Sequence, residues 1–393
     1  MLGGDPFLAS LRRHRLAAGL IVLQCALTTV VLALALAKAG EWRARITAPS
    51  GVDETRLIRL VIRGAADAQV LARERAALAR LPEVQRVVTI NQVPFGIDDW
   101  SAQFGLSPDG TRGRVSATVY FGDEALRAQL GVPLREGRDF LQREYTGTRL
   151  HAAHSVQVDA TLARQLFHGE PAVGRTLHAL GAPPLRVVGV YAPLQGPRAD
   201  GRPTLILPAH LDLGQVGVYL LRLHGQTPPK ADRVSEAIAT PGARRWVSDY
   251  RSLAELREAY FRHDRWLATG LLLGMGLWLL CTGVGLANLA DLLLQARVRQ
   301  IGLCRALGAR SAQIRWQLRR ENLLLAGVGA LAGLAWLHLL LRAWPWLGMQ
   351  LETGGIALQA LAAALVVLTG QCAMWPITRE ADAVPLAAGI RWA

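Results

Sequence analysis

The sequence predicts an α-helical membrane protein with four transmembrane helices plus a large α+β periplasmic domain, built as a ferredoxin-like subdomain with a β-rich insertion. Three observations predict it. The chain is 51% hydrophobic but only 19% charged, a low charge content for a soluble protein of this length. Four stretches, Leu16–Ala37, Trp266–Ala290, Asn322–Leu341 and Thr353–Thr378, contain no Asp, Glu, Lys or Arg, and each reaches the roughly 20 apolar residues that cross a hydrocarbon core as a helix. Between the first and second lies Lys38–Arg265, of ordinary polar content and long enough to bury cores of its own.

Residues 1–37 form a cytoplasmic amino terminus and the first span. Its basic start and Ala-x-Ala ending imitate a signal peptide, but the apolar run exceeds the roughly 7–15 residues of such a segment, so an uncleaved anchor is expected. Arg12, Arg13 and Arg15 precede this span, seven arginines lie in 297–323, and Arg379 and Arg391 follow the last span. The positive-inside rule therefore puts both termini and the arginine loop in the cytoplasm, and the long domain outside the inner membrane. That domain has no cysteine: Cys25, Cys281 and Cys372 fall in spans and Cys304 in the loop. It must be held by its cores rather than by disulfides.

Within residues 38–265, RLIRLVIRG (56–64) alternates like a strand, AQVLARERAALARL (68–81) has helical spacing, and VQRVVTIN (84–91) is again strand-like. The order recurs in VYLLRLHG (218–225), KADRVSEAIA (230–239) and RRWVSDY (244–250). Two β-α-β units this far apart predict one ferredoxin-like, porter-like subdomain from residues 50–100 and 215–250. Residues 100–215 become its β-rich insertion, with Gly and Pro turn chemistry and one short helix, ATLARQLF (160–167). Residues 251–265 read as a charged helical stalk running into the second span, 266–290. A cytoplasmic loop (291–321), the third span (322–341), a short outer loop (342–352), the fourth span (353–378) and a cytoplasmic tail (379–393) complete the chain.

Catalytic signatures are absent. A phosphate-cradling G-x-x-x-x-G-K-[ST] loop needs Lys followed by Ser or Thr, whereas Lys38 and Lys230, the only lysines, both precede Ala. There is no G-x-S-x-G and no C-x-x-C. His151 and His154, with Asp159 nearby, read as solvated loop residues rather than a metal site, because the helical H-E-x-x-H is missing. The arginine surplus reflects residue bias, not a nucleic-acid partner. Gln24, Gln359, Gln371, Asn288 and His338, the main polar residues within spans, read as interhelical hydrogen bonders.

Several local motifs, in order, resemble those of the MacB/FtsX-like permeases, membrane subunits of type VII ABC transporters. The loop Arg297-Val298-Arg299-Gln300-Ile301-Gly302-Leu303-Cys304-Arg305-Ala306-Leu307-Gly308-Ala309 is similar to that family's R-x-R-E-I-G-[IL]-R-x-A-[LV]-G-A, with Glu321 at the matching distance. LARLPEVQRVVTINQVPFG, VPLREGRDF, ATLARQLFHGEPAVGRTL and WPITREADAVPLAAGIRW resemble further family segments. Gln300 and Cys304 depart from the pattern and remove charge from it. The resemblance implies a non-catalytic permease dimer, homodimeric or heterodimeric, in the bacterial inner membrane. It further implies a separate ABC ATPase dimer that binds ATP and Mg, and contact with that ATPase through Arg299, Gln300, Ile301, Gly302, Leu303, Arg305, Ala306, Leu307, Gly308, Ala309 and Glu321. No cofactor is expected in this chain. In efflux relatives a periplasmic adaptor and outer-membrane channel join, and the substrate is a peptide, antibiotic or lipoprotein moved by mechanotransmission. The alternative is an FtsX-type regulator that activates a periplasmic cell-wall hydrolase and transports nothing.

Overall fold

The computed structural model describes residues 15–108, 113–145, 153–179, 182–211, 216–239, 244–295, 310–343 and 355–380. It divides into Thr47–His263 and a second unit formed by the two flanks of the chain.

In the Thr47–His263 unit, β1 (Leu57–Arg63), β2 (Val84–Thr89), β10 (Val216–Leu223) and β11 (Trp246–Ser252) form one sheet in the order β11-β1-β10-β2. With α2 (Ala68–Ala79) and α5 (Ala231–Ile238) as its crossovers, this is the ferredoxin-like arrangement. Alternation decides its faces. Ile58, Leu60 and Ile62 of β1 and Tyr219, Leu221 and Leu223 of β10 bury against Leu78 of α2 and Val234 and Ile238 of α5. Asp67 caps α2, its carboxylate accepting from the Val70 amide at 2.8 Å. β11 begins two residues later than the alternation predicts, because residues before Trp246 serve an ion pair: Arg245 Nε meets Glu74 Oε1 at 2.5 Å with both side chains buried.

The insertion supplies β3 (Ser101–Gly105), β4 (Val115–Gly122), β5 (Leu134–Gly137), β6 (Ser155–Asp159), β7 (Thr176–Ala179), β8 (Leu185–Tyr191) and β9 (Thr204–Pro208). Their order is β5-β8-β6-β9-β4-β3-β7, and β7 also pairs with β8, so the sheet closes on itself. Val156 and Val158 of β6, Val187 of β8 and Leu205 and Leu207 of β9 fill the core together with Leu162, Leu166 and Phe167 of α4 (Ala160–Phe167). One expectation is corrected: the insertion holds a second short helix, α3 (Leu126–Leu130). It forms because Leu126 and Leu130 bury and the Gln129 amide donates to the carbonyls of Leu220 and Arg86, covering the sheet face that α2 and α5 leave open.

Asp159 ends β6 and starts α4. Its carboxylate accepts from the Leu162 amide at 2.6 Å and from the Thr204 amide at 3.0 Å. Burial outweighs these bonds and pushes its pKa up to about 6. An acid raised above its unfolded value of about 3.9 binds more protons when folded, so its contribution is full at low pH and is lost as pH rises through about 6. We expect local stability around α4 to fall by about 2 kcal/mol between pH 4.5 and pH 7. In Asp159→Asn, whose amide oxygen still caps the helix, the fall should vanish. Hydrogen exchange of residues 155–167 in urea reads both, and equal pH slopes in the two proteins would refute the assignment.

Among the described residues, four helices are long and apolar enough to cross a membrane, and they belong to the second unit. They are α1 (Arg15–Thr47), the greater part of α6 (Leu253–Gln295), α7 (Ser311–Ala343) and α8 (Ile356–Glu380). The first helix runs beyond the predicted span to Thr47, because residues 38–47 hold no proline, tolerate the single Gly40, and let Lys38 reach Glu41 at 2.7 Å. Ile21, Cys25, Leu32, Leu286, Ala326, Leu337, Ala362 and Val366 make the bundle core. At Gly329 and Gly333, α7 comes so close to α1 that an added Cβ would stand 2.6 Å from Cys25 Cβ or 2.5 Å from the Ala26 carbonyl oxygen. This is the small-residue packing that replaces hydrophobic drive within lipid.

Polar residues stitch two further pairs, α1 with α6 and α7 with α8. Gln24 donates to the Thr282 carbonyl at 3.3 Å, the Thr28 and Thr282 hydroxyls lie 3.2 Å apart, and Asn322 donates to the Gly370 carbonyl at 2.9 Å. Gln371 donates to the Arg319 carbonyl at 3.4 Å. Gln359 is buried. Asn288 and His338 depart from the expectation of interhelical bonding: both are exposed, because the helical phase that buries Leu286, Ala290 and Leu337 turns them outward.

Candidate functional site

The feature that unites the predicted functional segments is α6, which continues from the exported unit into the bundle as one helix of 43 residues. Its start is fixed by a reciprocal capping box. The Ser252 amide donates to Glu255 Oε2 at 2.9 Å, and the Glu255 amide donates to Ser252 Oγ at 3.1 Å. The Ser-x-x-Glu spacing that signals such a box stands plainly in Ser252-Leu253-Ala254-Glu255.

The first turns of α6 are seated in the exported unit. Leu253, Leu256 and Phe261 are buried. Phe261 meets Phe95 edge-on at 5.9 Å, and Tyr260 lies 6.1 Å from the same ring. The Arg257 guanidinium stands over Phe95 at 5.4 Å, donates to the Ala48 carbonyl at 2.5 Å and pairs with Glu54 Oε1 at 2.5 Å. The Tyr260 hydroxyl donates to the Arg198 carbonyl. Phe95 itself sits at φ 60, in the left-handed region that side chains rarely adopt. Sequence reasoning missed Phe95, Glu54 and Arg257, because nothing local marks three residues brought together from distant segments.

At its other end α6 leads to the loop at Gln295. Arg299, Gln300, Ile301, Gly302, Leu303, Arg305, Ala306, Leu307, Gly308 and Ala309 lie outside the described residues. Glu321, the remaining predicted contact, is on α7 and accepts from Gln317 Nε2 at 3.4 Å. Two residues before Glu321 the Arg319 guanidinium lies 5.0 Å from the centre of the Trp375 ring, tying α7 to the end of α8. His154 is exposed and His151 falls outside the described residues, while Asp159 is committed to capping α4. Among the described residues no three metal-ligating side chains converge.

Four described helices long and apolar enough to cross a membrane, with a large α+β domain between the first two, define a multi-pass membrane protein. Residues 27–239 match the MacB-like periplasmic core domain, and residues 272–376 match the FtsX-like permease C-terminal family. The chain belongs to the MacB/FtsX-like permeases of ABC transporters. It is 28% identical over 273 residues to a macrolide export ATP-binding/permease protein MacB 1/2 of Paracoccus denitrificans, the match covering 66% of this chain and 38% of that relative. The chain thus spans well under half of that relative's length. Among solved structures, the periplasmic region of MacB from Actinobacillus actinomycetemcomitans is 13% identical with a TM-score of 0.35, covering 53% of this chain and 94% of its own. The extracellular domain of the noncanonic ABC-type transporter YknZ from Gram-positive bacteria is 12% identical with a TM-score of 0.31, covering 49% and 100% respectively.

Proposed function

We propose that this chain is the permease subunit of an ATP-driven complex in the bacterial inner membrane, coupling ATP hydrolysis by a separate nucleotide-binding dimer to movement of its periplasmic domain. The observation that carries the reading is the unbroken α6. At 1.5 Å per residue its 43 residues extend about 65 Å, roughly twice the hydrocarbon thickness of about 30 Å. It is capped and packed at its periplasmic start and leads into the arginine loop at its other end. A displacement of that loop is therefore passed along a single stiff element. ATP and Mg belong to the partner ATPase, and this chain supplies the coupling surface, Arg299–Leu303, Arg305–Ala309 and Glu321.

A second permease chain, identical or related, completes the assembly. Gly270, Gly274, Leu277, Cys281, Val284 and Asn288 recur every three to four residues along one exposed face of α6, a seam whose glycines permit close helix approach. The substrate is an envelope peptide, antibiotic or lipoprotein handled on the outer side. The spans Leu16–Ala37, Trp266–Ala290, Asn322–Leu341 and Thr353–Thr378 carry no charged residue, which supports handling of the substrate outside the bundle rather than through it. A periplasmic adaptor and outer-membrane channel are the partners of the efflux form of such a complex.

In nanodiscs holding the permease and its ATPase, Gly302→Pro and Leu307→Asp should each reduce stimulated ATP turnover to the level of the ATPase alone, with membrane insertion unchanged. Full stimulation in both variants would sink the coupling assignment.

A further inference from the structure

A cavity on the insertion is lined by more arginines than its one carboxylate can neutralise. It encloses about 750 Å³, with Arg138, Arg143, Glu144, Ser155, Val173 and Arg186 among its lining residues. That volume is within the range of small-molecule sites. Alternation puts Arg186 there: β8 sends Leu185 and Val187 into the core and so turns Arg186 outward. Ser155 holds the paired position on β6 and shares that face. Arg143 and Glu144 come from the single turn Gln142–Glu144 that follows β5.

Glu144 is already engaged. Arg138 grips both its oxygens, Nη1 to Oε2 and Nη2 to Oε1, each at 2.8 Å, and the Leu141 amide donates to Oε2 at 2.7 Å. The Ser155 hydroxyl donates to it as well. The Arg138 bonds, helped by the others and opposed by burial, hold its pKa down to about 2. It therefore stays ionised, and its charge is spent on Arg138.

Arg143 and Arg186 have no such partner. Both are exposed, and neither side chain makes an ion pair or hydrogen bond among the described residues. Residues 146–152, outside the described residues, add Arg149 and His151 but no acid. Three arginines against one carboxylate leave the cavity with an excess of two positive charges.

One guanidinium fork satisfies a carboxylate, as Arg138 does with Glu144. Two further forks suit a group with more acceptor oxygens, and a phosphate monoester has three terminal ones. We propose that this cavity binds a phosphate ester, its phosphate held by Arg143 and Arg186 and its body lying against Val173, a half-exposed apolar side chain on the cavity wall. This goes beyond the coupling reading and does not depend on it.

The test is calorimetric titration of the full chain in nanodiscs of zwitterionic lipid, without ATP or ATPase, with empty nanodiscs subtracted. It is run at about 0.15 M salt, where charges more than about 8 Å apart are largely screened. The probes are glycerol 1-phosphate, a monoester; glycerophosphoglycerol, a diester that is the headgroup of an anionic lipid without its chains; and glycerol, which has no phosphate. At least one phosphate probe should bind with a Kd below about 1 mM, and glycerol should not bind. Tighter binding of the monoester would name a free phosphate ester as the ligand, and tighter binding of the diester a lipid headgroup. Arg143→Gln and Arg186→Gln should each weaken binding about tenfold. Both positions are exposed, so hydrogen exchange of β6 and β8 should match the parent in either variant. Arg73→Gln, which removes the same charge from exposed surface of α2, should leave binding unchanged. No phosphate binding at about 10 mM, or a loss in Arg73→Gln equal to that in the cavity variants, would overturn the proposal. Because no nucleotide is present, such a failure leaves the coupling assignment standing.

Discussion

Replacing Glu74 by alanine is expected to destabilise the exported domain by about 3–5 kcal/mol, the cost of leaving one partner of a buried ion pair without its counter-charge. Arg245 Nε and Nη2 approach Glu74 at 2.5 and 3.0 Å, with side-chain exposures of only 1% and 0%. Tyr219 donates to the same carboxylate at 2.7 Å, and Arg245 also donates to the Gly64 carbonyl. The group thus joins α2, β10, the turn after β1 and the residue before β11, which come from both sides of the insertion. Arg245→Ala should cost a similar amount, because it strands Glu74. Glu74→Leu combined with Arg245→Met should recover most of the loss, since apolar groups of similar volume remove both desolvation penalties. Urea unfolding followed by hydrogen exchange of β1 and β10, the strands beside the ion pair, reads the three proteins. A double variant no more stable than the single ones would show that the cost lies in packing rather than in unpaired charge.

Gly333→Leu should break the contact between α1 and α7. A Cβ there would meet the Ala26 carbonyl oxygen at 2.5 Å and Thr29 Cβ at 2.9 Å, both on a neighbouring helix that cannot rotate away as a side chain could. Overpacking of this kind costs about 1–3 kcal/mol before the three carbons beyond Cβ are placed. Gly327→Leu is the control, because an added Cβ at Gly327 meets nothing within 4 Å. It also carries the same gain in helix propensity, about 1 kcal/mol, so the difference between the variants isolates the helix contact. Unfolding in mixed micelles should show Gly333→Leu markedly less stable and Gly327→Leu close to the parent. Equal stabilities would mean that α1 and α7 do not meet at this face.

Much of the fold is legible along the chain. The spans are readable because uncharged runs of this length have one common physical explanation, and the ferredoxin-like halves because strand and helix impose different periods on apolar residues. α4 is readable to the residue, since Asp159 caps it and its hydrophobic spacing starts at once. The capping box at Ser252 is a local signal that the same reading passes over. The candidate coupling surface is legible only as a motif, and its residues from Arg299 to Ala309 lie outside the described structure.

The sequence by itself determined how many helices are apolar enough for a membrane, which segments alternate as strands, and that no lysine here can serve a phosphate loop. Those properties depend on residues within a few positions of one another. Tertiary structure decided the rest. It selected Gly329 and Gly333 for close contact while leaving Gly327 open, although all three are simply glycines in one helix. It buried Glu74 against Arg245, paired β3 with β7 to close the insertion, and left Gln157 Oε1 facing no partner among the described residues. The physical reason is common to all four: each depends on a distance between groups remote in sequence, and local periodicity carries no information about which remote surface will arrive.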